Sequence, residues 1–228
     1  MKMGHGLATL LGGIALVASP LSNATIIYDT WITNELGSGN YVITVDHDII
    51  DSQFDINFTV TPWNAEGLGL FIDLGNFDLP GAVGLTNITP SGKVALWATD
   101  TPSDSCGAGC NLNGLNPVIP ALDGEWELVF RLGEQGYDGI QTFAFSINDF
   151  GLTESAFGLV GVRAQQYCSG NDLLPGGSCG GSDKSYGSPR DVPPDTEEPP
   201  PTSVPAPATL ALFGLGLAGL GWSRRKKA

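Results

Sequence analysis

Basic residues are scarce in this sequence. The 228-residue chain has 10 Lys and Arg against 24 Asp and Glu. Five of those ten sit at the two ends, as Lys2 and Arg224-Arg225-Lys226-Lys227, where no acid lies. The body between them, about Thr25 to Ser203, therefore has 24 acids against 5 bases, a net charge of −19. So few cations exclude nucleic acid, whose phosphates need Lys and Arg, and argue against anionic lipid. The balance suits a soluble extracellular protein that repels its neighbours or collects cations.

Histidine is scarcer still, with two in the chain and only His47 in the body. A Ser or Cys nucleophile needs a base beside it. His47 falls on the apolar side of a predicted strand, which reads as a hydrogen-bonded structural histidine. No Gly-x-Ser-x-Gly elbow, His-Glu-x-x-His or phosphate loop occurs. The body also lacks an internal repeat and an amphipathic helical stretch. Its long apolar runs are confined to the ends.

Both ends read as signals. Met1-Lys2-Met3 followed by the apolar Leu7–Ala18 and the small Ser22-Asn23-Ala24 predicts a secretory signal peptide over 1–24, removed by signal peptidase. At the other end, Val204-Pro205-Ala206-Pro207 precedes an uncharged run from Ala208 to Trp222, then the cations Arg224, Arg225, Lys226 and Lys227. That run makes about 22 Å of helix at roughly 1.5 Å per residue. A bilayer core of about 30 Å wants about 20 residues, so the span is short. Its glycines weaken it further. The sequence thus predicts a temporary membrane segment with a basic stop on the cytoplasmic side.

This three-part order resembles the PEP-CTERM sorting signal. The usual motif is Pro-Glu-Pro, where this chain has Pro205-Ala206-Pro207. The resemblance implies handling by exosortase, a membrane transpeptidase-like enzyme of Gram-negative bacteria. It further implies export, cleavage near Pro205–Pro207, and release or transfer to the cell surface. Such proteins are linked to exopolysaccharide and biofilm. The phrase Ala156-Phe157-Gly158-Leu159-Val160-Gly161-Val162-Arg163-Ala164-Gln165 is similar to a late strand in the β-rich domains they carry, and implies no activity.

Between the signals, residues 25–184 read as one domain and 185–203 as a Pro, Ser and acid-rich spacer of extended chain. Apolar and polar residues alternate at Phe54, Ile56, Phe58, Val60; at Trp126, Leu128, Phe130, Leu132; and at Phe143, Phe145, Ile147. Tyr41, Ile43, Val45 and Ile49 share a side with His47. Period two with β-branched and aromatic enrichment means half-buried strands. Further strands are expected at Gly67–Phe77, Lys93–Ala98 and Phe157–Tyr167. The fold class is all-β, an antiparallel jelly-roll-like sandwich of about eight strands.

Four cysteines in an exported chain are expected to pair. Of three pairings, Cys106–Cys110 and Cys168–Cys179 are favoured, since both close loops rich in Gly, Ser, Asn and Pro. Zinc-site spacing is absent.

Three weaker constellations remain. Asp46, Asp48, Asp51 and Asp55 form an acidic cluster of calcium-ligand type, without the glycine and distal Glu of an EF-hand. A solvated turn between two strands accounts for it better. Glu125 and Glu127 flank Trp126 at roughly 7 Å along a strand. Glycoside hydrolysis needs two acids across a cleft, and a solvated outer face accounts better for this pair. Trp63, after Pro62 at a strand end, is the candidate plate for stacking a sugar. The expectation is a non-catalytic exported surface or matrix protein without cofactor. A polysaccharide- or calcium-binding sandwich is the alternative.

Overall fold

The computed structural model describes residues 25–33, 37–114, 124–169, 172–173, 176–177 and 179–190. The predicted signal peptide at 1–24, most of the expected 185–203 spacer, the Val204–Pro207 motif, the apolar run and the Arg224–Lys227 cations lie outside them. Among the described residues no helix is long and apolar enough to cross a membrane.

Eleven strands and one short 3-10 turn make up the described body: β1 Thr25–Tyr28, β2 Ile32–Thr33, β3 Tyr41–Asp48, β4 Gln53–Val60, β5 Glu66–Ile72, β6 Thr86–Thr89, β7 Val94–Thr101, β8 Trp126–Leu132, β9 Thr142–Asn148, β10 Val160–Tyr167 and β11 Gly181–Gly187. They form two antiparallel sheets, one in the order β1-β3-β4-β9-β6 and the other β2-β11-β10-β5-β8-β7. The all-β sandwich is as the alternation predicts, with more strands than the eight expected.

The alternating strands behave as period two requires. Ile43, Val45, Ile56, Phe58, Phe143 and Phe145 of the first sheet face Leu70, Ile72, Leu128, Phe130, Val160 and Val162 of the second in one buried core. Phe130 and Phe145 meet across it with ring centroids 4.7 Å apart. Ile49 does not belong to this set. β3 ends at Asp48. The Asp48 carboxylate takes the amides of Ile50 (2.9 Å) and Asp51 (3.1 Å) and turns the chain.

The second sheet departs from half-burial. Every residue of β5, and all of β8 except Arg131, is buried. A second apolar cluster covers its outer face: Leu68, Phe71, Cys106, Cys110, Leu112, Trp126 and Val129. Trp126 therefore leaves the face it was expected to share with Leu128. The disulfide Cys106–Cys110 closes the covering loop (Cα–Cα 5.0 Å), and Cys168–Cys179 closes another (5.2 Å), as favoured. Gly69 admits the first loop, because a Cβ there would lie 2.4 Å from Cys106 Sγ.

β11 was not anticipated. Its inward residues are Asp183 and Ser185, both fully buried, so it shows no apolar alternation. Ser185, expected to open the spacer, is thus part of the sandwich. The fold continues to Arg190, whose amide donates to Ile27 O at 2.8 Å.

Candidate functional site

Asp183 is a fully buried acid. Its Oδ2 accepts from the Tyr41 hydroxyl (2.6 Å), the Ser185 hydroxyl (2.8 Å) and the Gly39 amide (3.0 Å). Its Oδ1 lies 3.0 Å from the Thr33 hydroxyl. Burial, then the Asp183 charge, pushes the Tyr41 phenol well above its usual pKa. The network ties the segment before β3 to β11 in the opposite sheet. Gly39 has to be glycine, since a Cβ would sit 2.3 Å from the Tyr41 ring.

This floor supports a surface cavity of about 340 Å³. The chain leaves β1 at the edge of the first sheet, crosses to β2 at the edge of the second, and returns to β3. The cavity lies at that crossing. Asp29, Thr30 and Trp31 line it from one side, Ser38 to Val42 from another, and Thr61 after β4 closes it. Trp31 is half-buried, stands edge-on to Tyr41 at 5.4 Å, and donates its indole N–H to Tyr41 O at 2.7 Å. Asp29 forms an ion pair with Arg190 at 2.7 Å. Nothing in the local sequence marks this cavity, which joins residues 29–31, 38–42 and 61.

The expected site residues fare differently. His47 is buried on Phe54 (centroids 4.6 Å), with Nε2 3.3 Å from Asp149 Oδ2 and Nδ1 3.4 Å from Glu154 Oε1. Both ring nitrogens face carboxylates, which holds the 149–156 segment against β3. Asp46 and Asp55 are directly opposite in the β3–β4 register. Each takes a hydroxyl at 2.5 Å, Asp46 from Thr25 and Asp55 from Ser146. Asp48 is the turn cap already described, and Asp51 is exposed in that turn. Among the described residues no three His, Cys, Asp or Glu side chains are grouped to hold a metal ion.

Glu127 corrects the expectation of a solvated outer face. It is buried, and its carboxylate accepts the Leu74 amide just beyond the end of β5. Trp63 is no open plate either. It is half-buried and stacks on Tyr137 at 6.3 Å with 28° between planes, and its Nε1 is buried. Among the described residues the exposed indole is Trp97, at 54 %. The β7–β8 register shifts between Leu96 and Ala98, so Trp97 is the extra residue of a bulge. A bulge re-aims its side chain out of the alternation, which sequence pattern does not foresee.

The described body gives no family by its geometry. No curated protein and no solved structure matches the chain. A family model does match: that of the PEP-CTERM protein-sorting motif, over residues 203–226. The match is about a tenth of the chain and spans Pro205-Ala206-Pro207 and the cations through Lys226. It indicates export and surface or extracellular placement by way of exosortase. Behind its disulfide-closed sandwich, this chain carries a PEP-CTERM protein-sorting motif.

Proposed function

We propose that this chain is a non-catalytic protein of the cell surface or extracellular matrix, associated there with exopolysaccharide. The observation that carries the reading is the sorting motif at 203–226 joined to a sandwich with two disulfides. The short apolar run serves as a temporary inner-membrane tether, lost when exosortase cuts near Pro205–Pro207. Disulfides suit a space outside the cytoplasm. The strongly acidic surface keeps copies of the body apart in solution.

A non-catalytic role accords with how the reactive groups are used. His47 is committed to Asp149 and Glu154, Glu127 to a backbone amide, and Asp183 to four donors. Each satisfies a structural demand of the sandwich.

The test is the intact mass of the protein recovered from its host, together with fractionation. A mass lacking residues 1–24 and 208–228, found in the surface or matrix fraction with polysaccharide, is expected. A mass that retains Ala208–Ala228, or a protein left wholly in the inner membrane, refutes the proposal.

A further inference from the structure

We propose that the cavity between Trp31, Asn40 and Thr61 binds a neutral sugar unit of a polysaccharide. The inference rests on the proposed association with exopolysaccharide and names the site and the glycan class. The cavity, about 340 Å³, lies at the small end of the roughly 300–1,000 Å³ range of small-molecule pockets. That is room for a single sugar unit, open to solvent on one side so that the rest of a polymer can pass.

Its lining is amphipathic in the way a pyranose is. The indole N–H of Trp31 is already used by Tyr41 O, so what Trp31 offers the cavity is apolar ring surface. Against it stand the hydroxyls of Thr30, Ser38 and Thr61, the amide of Asn40 and the carboxylate of Asp29. Sugars present apolar C–H faces to aromatic rings. Their hydroxyls both donate and accept, which matches a mixed set of carboxylate, amide and hydroxyl partners. The Asn40 side chain is fixed by donation to Pro62 O at 2.9 Å, and its backbone amide donates to Asn64 Oδ1 at 2.8 Å.

Charge selects the class. Arg190, the cation beside the cavity, is held by Asp29 at 2.7 Å. The body carries 24 acids against 5 bases. An anionic uronate or sulfated chain would meet repulsion without a compensating guanidinium. A neutral glycan meets none.

Rigidity supports recognition. Gly39 and Tyr41 form the floor, and both donate to the buried Asp183. Side chains fixed by a buried network lose little freedom on binding, which favours a weakly interacting ligand such as a sugar.

The experiment is calorimetric and NMR titration of the processed protein with maltoheptaose, laminarihexaose and cellohexaose, with alginate oligomers as the anionic comparison. Saturable binding of at least one neutral oligomer is expected, with alginate at least tenfold weaker. Trp31→Ala should weaken binding tenfold or more. Ser38→Trp, which fills the cavity from its rim, should do the same with the fold kept, as read by melting temperature. Failure of all three neutral oligomers to bind overturns the inference. So does binding unchanged in Ser38→Trp, or alginate binding as tightly as the neutral oligomers. Fractionation of the unsubstituted protein separates the two proposals. Surface delivery of a protein that binds none of the neutral oligomers defeats the pocket alone, whereas retention in the inner membrane defeats the functional reading itself.

Discussion

Replacing Asp183 tests whether the buried network holds the two sheets together at this edge. Asp183→Ala leaves the Tyr41 hydroxyl, the Ser185 hydroxyl and the Gly39 amide buried without their acceptor. Each such group costs about 1–3 kcal/mol, and partial relaxation keeps the sum below the full total. A loss of about 4 kcal/mol is expected. Asp183→Asn should be milder. Its amide oxygen can take the place of Oδ2 and keep all three donors, while its NH₂ faces the Thr33 hydroxyl, which can accept. Only the charge assistance is lost, about 2 kcal/mol. Tyr41→Phe removes one donor and should cost about 1.5–3 kcal/mol. The assay is urea unfolding of the processed protein, disulfides intact, followed by tryptophan fluorescence. An Ala variant that loses under about 1 kcal/mol, or an Asn variant as damaged as Ala, refutes the reasoning.

Two further outcomes follow from the packing. Gly69→Ala would drive a Cβ to 2.4 Å from Cys106 Sγ and 2.6 Å from Cys110 Sγ; the disulfide cannot step aside, so a loss of about 2 kcal/mol is expected in urea unfolding, while Gly81→Ala, in open space, should be nearly neutral. Tyr28 and Tyr41 both have phenols held well above the usual value, by burial first and then by Asp73 and Asp183 respectively. The folded chain therefore keeps protons that the unfolded chain releases above about pH 10. Stability should be flat below that pH and fall above it by about 1.4 kcal/mol per pH unit for each phenol, until the folded values are reached. Urea midpoints measured between about pH 9 and pH 11.5 check this, and a slope unchanged in Tyr28→Phe would count against it.

Strands whose side chains divide cleanly into core and solvent were legible. Phe54, Ile56, Phe58 and Val60 alternate in sequence and point into the core in β4. The disulfides were legible because each closes a short local loop. β11 was hidden because its buried face is Asp183 and Ser185, whose burial depends on donors from β3 and from the Gly39 loop. β5 and β8 misled in the opposite sense. Their outward residues are buried only because the Cys106–Cys110 loop lies over them. The carboxylate of Glu127 reads as surface charge until the amide of Leu74 is seen beside it. Trp63 was expected to be open but is covered by stacking on Tyr137, whereas a bulge turns Trp97 outward.

By itself the sequence determined the address, the charge and the fold class. A sorting motif is read as a linear string, charge is a count, and sandwich strands announce themselves through a period of two. Tertiary structure alone decided which acids are buried, which tryptophan is exposed and where a cavity opens. Those depend on contacts between segments far apart in the chain, such as Gly39 with Asp183 and Thr61 with Asn40. No local pattern encodes such a meeting, because its free energy exists only once both sheets are in place.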